Sequence, residues 1–318
     1  MLNHEVIDSK RHQSEVATKQ LTPSKEDWVD RRRRMIGLMA VTVILTICFS
    51  RPLYDLVWYS LHSELHSYIP LIPLISLYLI WSKRRSLALT SSPAPRFAVL
   101  PLLASLATLA AFRCAMNTGW SPATEDYLAL MTLSYLLSFI AGSFVFLGRE
   151  TLRTIAFPLG FLIFAVPFPS FLQAWIECLL QQSSAQAAEV LFWMSAMPVF
   201  RHELVFDLPS LSLEVAPECS GIQSTLVLFI TSLLAGHLFL RTAWNRTLLT
   251  LGVIPLAILR NGLRIFIIGQ LCVRVSPDMI NSYIHRHGGP IFFALSLVPF
   301  LLLLVILRKS ERGLRIRG

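Results

Sequence analysis

The chain has 318 residues, of which 54% are hydrophobic and only 15% are charged, and its formal net charge is +9. A water-soluble domain has more charged surface than this, so the composition excludes an ordinary soluble protein. Most Lys and Arg residues stand in short clusters between apolar runs, a pattern that sets membrane topology. The basic charge therefore does not indicate a nucleic-acid partner.

The N-terminal segment is polar and ends in consecutive arginines, Arg31 to Arg34. We expect a cytoplasmic arm and an uncleaved first helix, because the leader is too long for a signal peptide and no small-residue cleavage site follows. The sequence thus predicts three parts. These are a polar arm (1–34), a membrane-embedded domain (35–308) and a basic cytoplasmic tail (309–318).

Apolar runs of about twenty residues predict transmembrane helices, since that length crosses the hydrocarbon core. The positive-inside rule places the basic clusters 31–34, 83–85 and 149–153 in the cytoplasm. The sequence therefore predicts an all-α polytopic membrane protein with about eight spans and both termini inside. The predicted spans are 35–53, 68–82, 96–113, 127–147, 155–172, 220–240, 248–271 and 288–307.

Residues 173–197 are long enough to span the membrane, but they carry a polar stripe on one helical face. Such a helix suits the membrane surface, and the basic loop 241–246 would fall on the wrong side if the segment crossed. We therefore predict an outer interfacial amphipathic helix. Apolar residues then alternate around Pro209 and Ser210, which predicts a short extracytoplasmic β-hairpin or two extended pieces. The stripe consists of Gln173, Glu177, Gln181 and Ser184.

Cys219 is the candidate nucleophile, because it stands directly before a predicted span on the predicted outer side. Free N–H groups at a helix N-terminus favour a thiolate and stabilise an oxyanion. An inert, half-buried thiol is the alternative, and position alone favours that alternative.

Arg264 lies inside a predicted span, where a charged side chain usually has a function. Its guanidinium can hold a thiolate or a developing oxyanion, whereas a snorkelling anchor is the alternative. Arg260 is one turn away on the same face, and Asn261 precedes Arg264 by one turn. Arg260 serves either the structure or a substrate carboxylate.

His285 precedes the last predicted span and is the candidate base, or the acid that protonates a leaving amine. His287 competes for this role, and either histidine can instead be a polar interfacial residue. A Cys-His pair with an arginine is an arrangement for nucleophilic acyl transfer. No Cys/His spacing predicts a zinc site, and we expect neither a metal nor a cofactor.

The chain from Leu53 to Leu307 resembles the exosortase/archaeosortase family of membrane transpeptidases. Arg260 stands where the family has a small residue, and Pro290 stands where an aromatic residue is expected. The order and spacing of the matching segments agree with the family. They are an early loop at His66–Pro73, a Cys-Ser-Gly box in Val215–Ile222, an Asn-x-x-Arg box in Asn261–Ile265, and His285 followed by Gly289 and Phe292.

The resemblance implies a cysteine protease or transpeptidase of the inner cell membrane, with its active site on the outer, periplasmic face. It implies catalytic roles for Cys219, Arg264 and His285. Its expected substrates are exported proteins with a C-terminal Pro-Glu-Pro-like motif, a hydrophobic helix and a basic end, which are cut near the motif and transferred to an acceptor. The candidate supporting or substrate-binding residues are Ser220, Gly221, Asn261, Arg260, Glu218 and His287.

A transporter or anion-binding protein is the alternative function. It would use Arg260 and Arg264 as an anion site within the helix bundle. Inverted repeats and paired broken spans would favour it, and the sequence has neither. A structural assembly protein is a third, weaker interpretation.

Overall fold

The structure is a computed structural model that describes residues 25–84, 95–209, 211–216, 220–276 and 289–316. Most of these residues are helical, and the described strands form one small sheet. Internal contacts divide the chain into two compact units, which are residues 1–59 with 69–167 and residues 60–68 with 168–318.

The first unit is built from helices. Helix α1 starts at Lys25, so the cluster of arginines before residue 35 is already helical. Gly148 interrupts the path of α5 with a φ of 75°, a conformation that suits glycine. The elements are α1 (Lys25–Cys48), α2 (Ser50–His62), α3 (Leu71–Ser82), α4 (Pro95–Asn117), α5 (Thr124–Thr154), α6 (Ala156–Phe161) and a 3₁₀ turn (Leu162–Ala165).

The second unit combines four described helices with the sheet. The strands are antiparallel in the order β1-β2-β3, and Leu208 pairs with Leu211 across the predicted turn. The hairpin is therefore confirmed, while β1 is an additional strand that the alternation did not predict. The elements are α7 (Ser170–Met194), β1 (Phe200–His202), β2 (Val205–Leu208), β3 (Leu211–Glu214), α8 (Ile222–Phe239), α9 (Ala243–Arg274) and α10 (Gly289–Ile316).

The chain is a multi-span membrane protein. Among the described residues, α4, α5, α8, α9 and the part of α10 up to Arg312 are long and apolar enough to cross a membrane. Two broken helix pairs raise the number to seven, although the sequence indicated no broken spans, and α1 with α2, bent by 73°, is one of them.

The predicted count of eight spans is not confirmed. The predicted span 155–172 is divided, because the helical path ends before Pro167 and α7 starts only after Pro169. Proline removes a backbone donor and disfavours a helical conformation at the residue before it, so two prolines this close end a helix. The predicted span 68–82 contains only the 12-residue helix α3.

The polar stripe of α7 is partly buried. Gln181 is 8% exposed and Ser184 is 0% exposed, whereas the apolar Leu179 on the other side is 42% exposed. A helix lying free on a membrane would instead hydrate its polar stripe. The stripe is buried because α9 and the segment after β3 provide hydrogen-bond partners for it. The interfacial position of α7 therefore stays a prediction, while its polar face is buried at Gln181 and Ser184.

Two core clusters hold the second unit together. One joins α7 and α9 to the sheet through residues such as Phe192, Phe206 and Ile268. The other joins α8, α9 and α10 through residues such as Leu228 and Val253. The candidate site residues described below lie on α7, on α9 and directly before α8, and burial of these apolar side chains keeps those three helices together.

The C-terminal end of α10 lies beside the loop between α8 and α9. The carboxylate of Glu311 accepts hydrogen bonds from the backbone N–H groups of Arg241 at 3.0 Å and Thr242 at 2.9 Å. The side chain of Asn245 donates to the same carboxylate at 3.0 Å. This contact agrees with the prediction that the basic loop 241–246 and the tail are on one side of the membrane.

Candidate active site

The structure describes part of the predicted site. The positions it leaves undescribed include both candidate histidines and the candidate nucleophile. The site residues outside the described ranges are Glu218, Cys219, His285 and His287. Those inside them are Ser220, Gly221, Arg260, Asn261 and Arg264.

Gly221 forms the turn that starts α8. Its φ of 69° and ψ of 20° are left-handed, a conformation that glycine adopts without the steric penalty of a side chain. The carbonyl of Gly221 accepts hydrogen bonds from the N–H of Thr225 at 3.0 Å and from the Thr225 hydroxyl at 2.8 Å. A Cβ atom at this position would stand only 3.1 Å from Oδ1 of Asn261. The glycine of the first box therefore serves both the turn and the close approach of α9.

Asn261 connects three segments of the second unit. Its Nδ2 donates to the backbone carbonyl of Ser220 at 3.1 Å and to the hydroxyl of Ser184 on α7, also at 3.1 Å. The side chain is 3% exposed, so little water competes for these bonds. The amide of the second box thus holds the residue that directly follows Cys219 in the chain.

Arg260 contacts the same turn from deeper in α9. Its Nη2 donates to the hydroxyl of Thr225 at 3.2 Å and to the carbonyl of Gly221 at 3.4 Å. The residue is 6% exposed, and its Nη1 has no hydrogen-bond partner among the described residues. Of the two roles left open for Arg260, these contacts support the structural one.

Gly262 lets α7 and α9 approach each other. A Cβ atom there would lie 2.7 Å from Cβ of Ala187 and 3.1 Å from the carbonyl oxygen of Ser184. Small residues at such a crossing allow two helix backbones to approach closely. The hydrogen bond between Asn261 and Ser184 depends on this short distance between the helices.

Arg264 lines a cavity of about 550 Å³. The half-buried Arg264 shares this cavity with Ser220 and Gly221 at the start of α8 and with Gly289 at the start of α10. Along the chain, Ser220 follows Cys219 directly, and Gly289 follows His285 at the spacing of the family motif. Val227 and Phe293 form part of an apolar wall. A guanidinium beside a helix N-terminus provides two sources of positive potential for a developing anion.

Several lining residues were not predicted as site residues. Gln173 and Glu177 of α7 line the cavity, as do Glu64 and Leu65. The amide of Gln223 donates to the backbone carbonyl of Glu64 at 2.8 Å and holds that loop at the start of α8. The helical spacing of the α7 stripe was visible in the sequence, but it was assigned to the membrane surface. Glu64 carries no pattern that separates it from an ordinary loop carboxylate.

The described part of the chain contains no preformed metal site. No group of three or more His, Cys, Asp or Glu side chains there is arranged to hold an ion. The groups that the cavity does present are a guanidinium, two carboxylates, amides and hydroxyls. These can bind a peptide carbonyl and its developing negative charge.

Comparison with known proteins gives one match. The family model "Transmembrane exosortase (Exosortase_EpsH)" matches residues 58–302, which include both described boxes. No curated protein and no solved structure matches the chain. With a match over most of its length, and with Ser220, Gly221 and Arg264 lining one cavity, the chain belongs to the transmembrane exosortase family.

Proposed function

We propose that the protein is a membrane-embedded cysteine transpeptidase that cleaves the C-terminal sorting tail of exported proteins and transfers them to an acceptor. The observation that carries the proposal is the shared cavity of Ser220, Arg264 and Gly289. A peptide bond joins Ser220 to Cys219, and a short stretch of chain joins Gly289 to His285. Chain connectivity therefore favours a meeting of the three candidate catalytic residues at this cavity.

In the first step, the Cys219 thiolate attacks the carbonyl carbon of the scissile peptide bond. The S–C bond forms, the C–N bond breaks, and protonated His285 gives its proton to the leaving amine. A thioester then joins the exported protein to Cys219. The guanidinium of Arg264 and the N–H groups at the start of α8 stabilise the intermediate oxyanion.

In the second step, an acceptor nucleophile enters the same cavity. Neutral His285 removes its proton, the nucleophile attacks the thioester carbonyl, and the C–S bond breaks. The products are the transferred protein and the restored thiolate, while His285 is again protonated. The resting enzyme is therefore regenerated without a cofactor or an external reductant.

The substrate tail reaches the cavity from the lipid. Its hydrophobic helix lies along the apolar wall that Val227 of α8 and Phe293 of α10 help to form. The sorting motif, just outside the bilayer, then lies beside Arg264. A membrane-anchored substrate that is already aligned loses less translational and rotational freedom at the reacting centre.

The proposed location is the inner cell membrane, with the active site on the outer face. The grouping of helix ends in the second unit supports this topology. Ser220 and Gly289 line the cavity at one end, while Glu311 binds the backbone of Thr242 at the other. The basic residues near Thr242 and Glu311 then face the cytoplasm, as the positive-inside rule requires.

An anion transporter would need Arg260 and Arg264 along one permeation path. Arg260 is buried against Gly221 and Thr225, and it does not line the cavity that Arg264 lines. These contacts do not favour the transporter alternative.

The test is processing of a tailed substrate in membranes that contain full-length enzyme. We expect Cys219→Ala and His285→Ala to abolish processing and His287→Ala to retain it. Cys178→Ala, at an exposed position of α7, is the matched control and should process normally. Unchanged processing by Cys219→Ala in the same membranes would falsify the proposal.

The side of the membrane needs a separate measurement. A membrane-impermeant thiol reagent is added to intact cells without their outer membrane. It should label Cys219 while the cysteines of cytoplasmic proteins are still unlabelled. Labelling of Cys219 only after the inner membrane is opened would place the site in the cytoplasm and contradict the topology.

A further inference from the structure

The segment that contains Cys219 is held at both of its described ends. At the end before Cys219, Nε2 of Gln181 donates to the backbone carbonyl of Val215 at 2.8 Å. At the end after Cys219, Nδ2 of Asn261 donates to the carbonyl of Ser220 at 3.1 Å. Both bonds fix backbone atoms, so they act on the path of the chain whatever its side chains are.

The bond from Gln181 lies in a dry environment. Gln181 is 8% exposed and Val215 is 2% exposed. The N–H of Val215 donates to the carbonyl of Leu204 at 2.9 Å, so the turn between β1 and β2 holds the other backbone polar group of the same residue. Loss of the Gln181 amide would leave the carbonyl of Val215 buried without its side-chain donor, which native structures avoid.

One face of α7 serves both ends of the segment. Ser184, one turn after Gln181, accepts a hydrogen bond from the same Asn261 that binds Ser220. Helix α7 therefore connects the hydrogen bond at the Val215 carbonyl with the hydrogen bond at the Ser220 carbonyl. The neighbouring Gln182 is exposed and has no part in this arrangement.

We propose that Gln181 is a positioning residue for the nucleophile of the transpeptidase, an inference that rests on the proposed role of Cys219. The amide of Gln181 fixes the start of the short stretch 216–219, while Asn261 fixes its end. Fixed ends limit the positions that a chain of this length can reach, and this limit is the proposed contribution of Gln181 to placing the nucleophile. A displacement of about 1 Å at a reacting group can lower a rate about 100-fold.

The experiment compares Gln181→Met with the matched control Gln182→Met in full-length enzyme reconstituted in lipid vesicles. Methionine keeps the length of the side chain and removes the amide donor. Three quantities are measured: kcat and KM on a tailed substrate, and the rate at which iodoacetamide alkylates the Cys219 peptide, followed by mass spectrometry. The value of kcat is calculated per folded enzyme.

We expect Gln181→Met to lower kcat by about 10- to 100-fold with little change in KM, because the substrate cavity is intact while the nucleophile is misplaced. Alkylation of Cys219 should slow by about tenfold, since a displaced thiol loses the stabilisation that the start of α8 provides. Gln182→Met should match the wild type in both measurements. A purely structural role would lower the amount of folded enzyme and leave both rates unchanged.

Equal rates for the two methionine variants would overturn the inference. If Gln181→Met does not fold, Gln181→Ala removes the same donor with a smaller side chain and is subject to the same expectations. A wild-type enzyme whose Cys219 alkylates no faster than the exposed Cys178, together with an active Cys219→Ala variant, would overturn the proposed function and this inference with it. Fast alkylation of wild-type Cys219 with unaffected Gln181 variants would overturn this inference alone.

Discussion

The side-chain amide of Asn261 donates a hydrogen bond to the backbone carbonyl of Ser220 at 3.1 Å, across 41 positions of sequence. This bond joins the two family boxes, because Ser220 follows Cys219 and Asn261 precedes Arg264 by one turn. The boxes therefore meet through a backbone atom. Their spacing in the sequence is set by one antiparallel pair of helices, α8 and α9.

Asn261→Ala should weaken both the fold and the site. The variant leaves the buried carbonyl of Ser220 without this donor, which costs about 1–3 kcal/mol of unfolding free energy. Turnover per folded molecule should fall as well. Asn245→Ala is the control on the same helix, since it loses a bond to Glu311 and should leave turnover intact. Unfolding in detergent and turnover are measured together, and equal turnover of the two variants would contradict a role of Asn261 in the site.

Arg264→Lys should lower kcat even though the charge is kept. Lysine lacks the planar guanidinium fork, and loss of one donor to an oxyanion typically reduces kcat by about 10²–10³. Arg274→Lys, at the exposed end of the same helix, should leave kcat unchanged. Steady-state kinetics on a tailed substrate separates kcat from KM. Wild-type kcat in both Arg264→Lys and Arg264→Gln would exclude this residue from transition-state stabilisation.

Gly262→Ala should separate α7 from α9. The new Cβ would lie 2.7 Å from that of Ala187, and such overpacking typically costs about 1–3 kcal/mol. Turnover should fall with stability, because Ser184 would move away from Asn261. Gly160→Ala is the control, since a Cβ at that helical glycine meets no atom within 4 Å. Alanine there should keep or raise the unfolding temperature. A Gly262→Ala variant as stable as Gly160→Ala would show that the helices can adjust.

Glu311→Gln should reduce stability and leave the chemistry unaffected. The carboxylate accepts hydrogen bonds from Arg241 and Thr242 at the N-terminal end of α9, where a negative charge is favourable. Because the site is near water, we expect a loss of about 0.5–1 kcal/mol. Lys309→Gln, two positions earlier and exposed, is the control and should change neither property. Thermal unfolding in detergent checks the first expectation, and turnover per folded enzyme checks the second.

Much of the second unit could be predicted from sequence, because its helices and its hairpin are determined by patterns within single segments. Apolar length predicts α8, α9 and α10, and helical periodicity places Arg260 and Arg264 on one face of α9. Alternation around Pro209 predicts the pairing of β2 with β3. The partner of Gln181 could not be predicted, since its acceptor is a backbone carbonyl and every residue has one.

The sequence was misleading where a pattern had two physical causes. A polar stripe on a helix is expected both at a membrane surface and at a buried polar contact, so the stripe of α7 did not predict the burial of Gln181 and Ser184. Hydropathy likewise did not register the break around Pro167 and Pro169, because Val166 and Phe168 keep the run apolar up to the second proline. The burial of the α7 stripe depends on residues outside α7. The break between the two helices depends on the backbone chemistry of two prolines.

The close approach of α7 and α9 at Gly262 limits how the site could be transferred to another protein. The Cys-Ser-Gly and Asn-x-x-Arg boxes cannot be grafted alone onto a designed helix pair. A third helix must supply a hydroxyl like that of Ser184 and a small neighbour like Ala187. The smallest transferable unit therefore includes the middle of α7, and a minimal enzyme would have to be built around three helices.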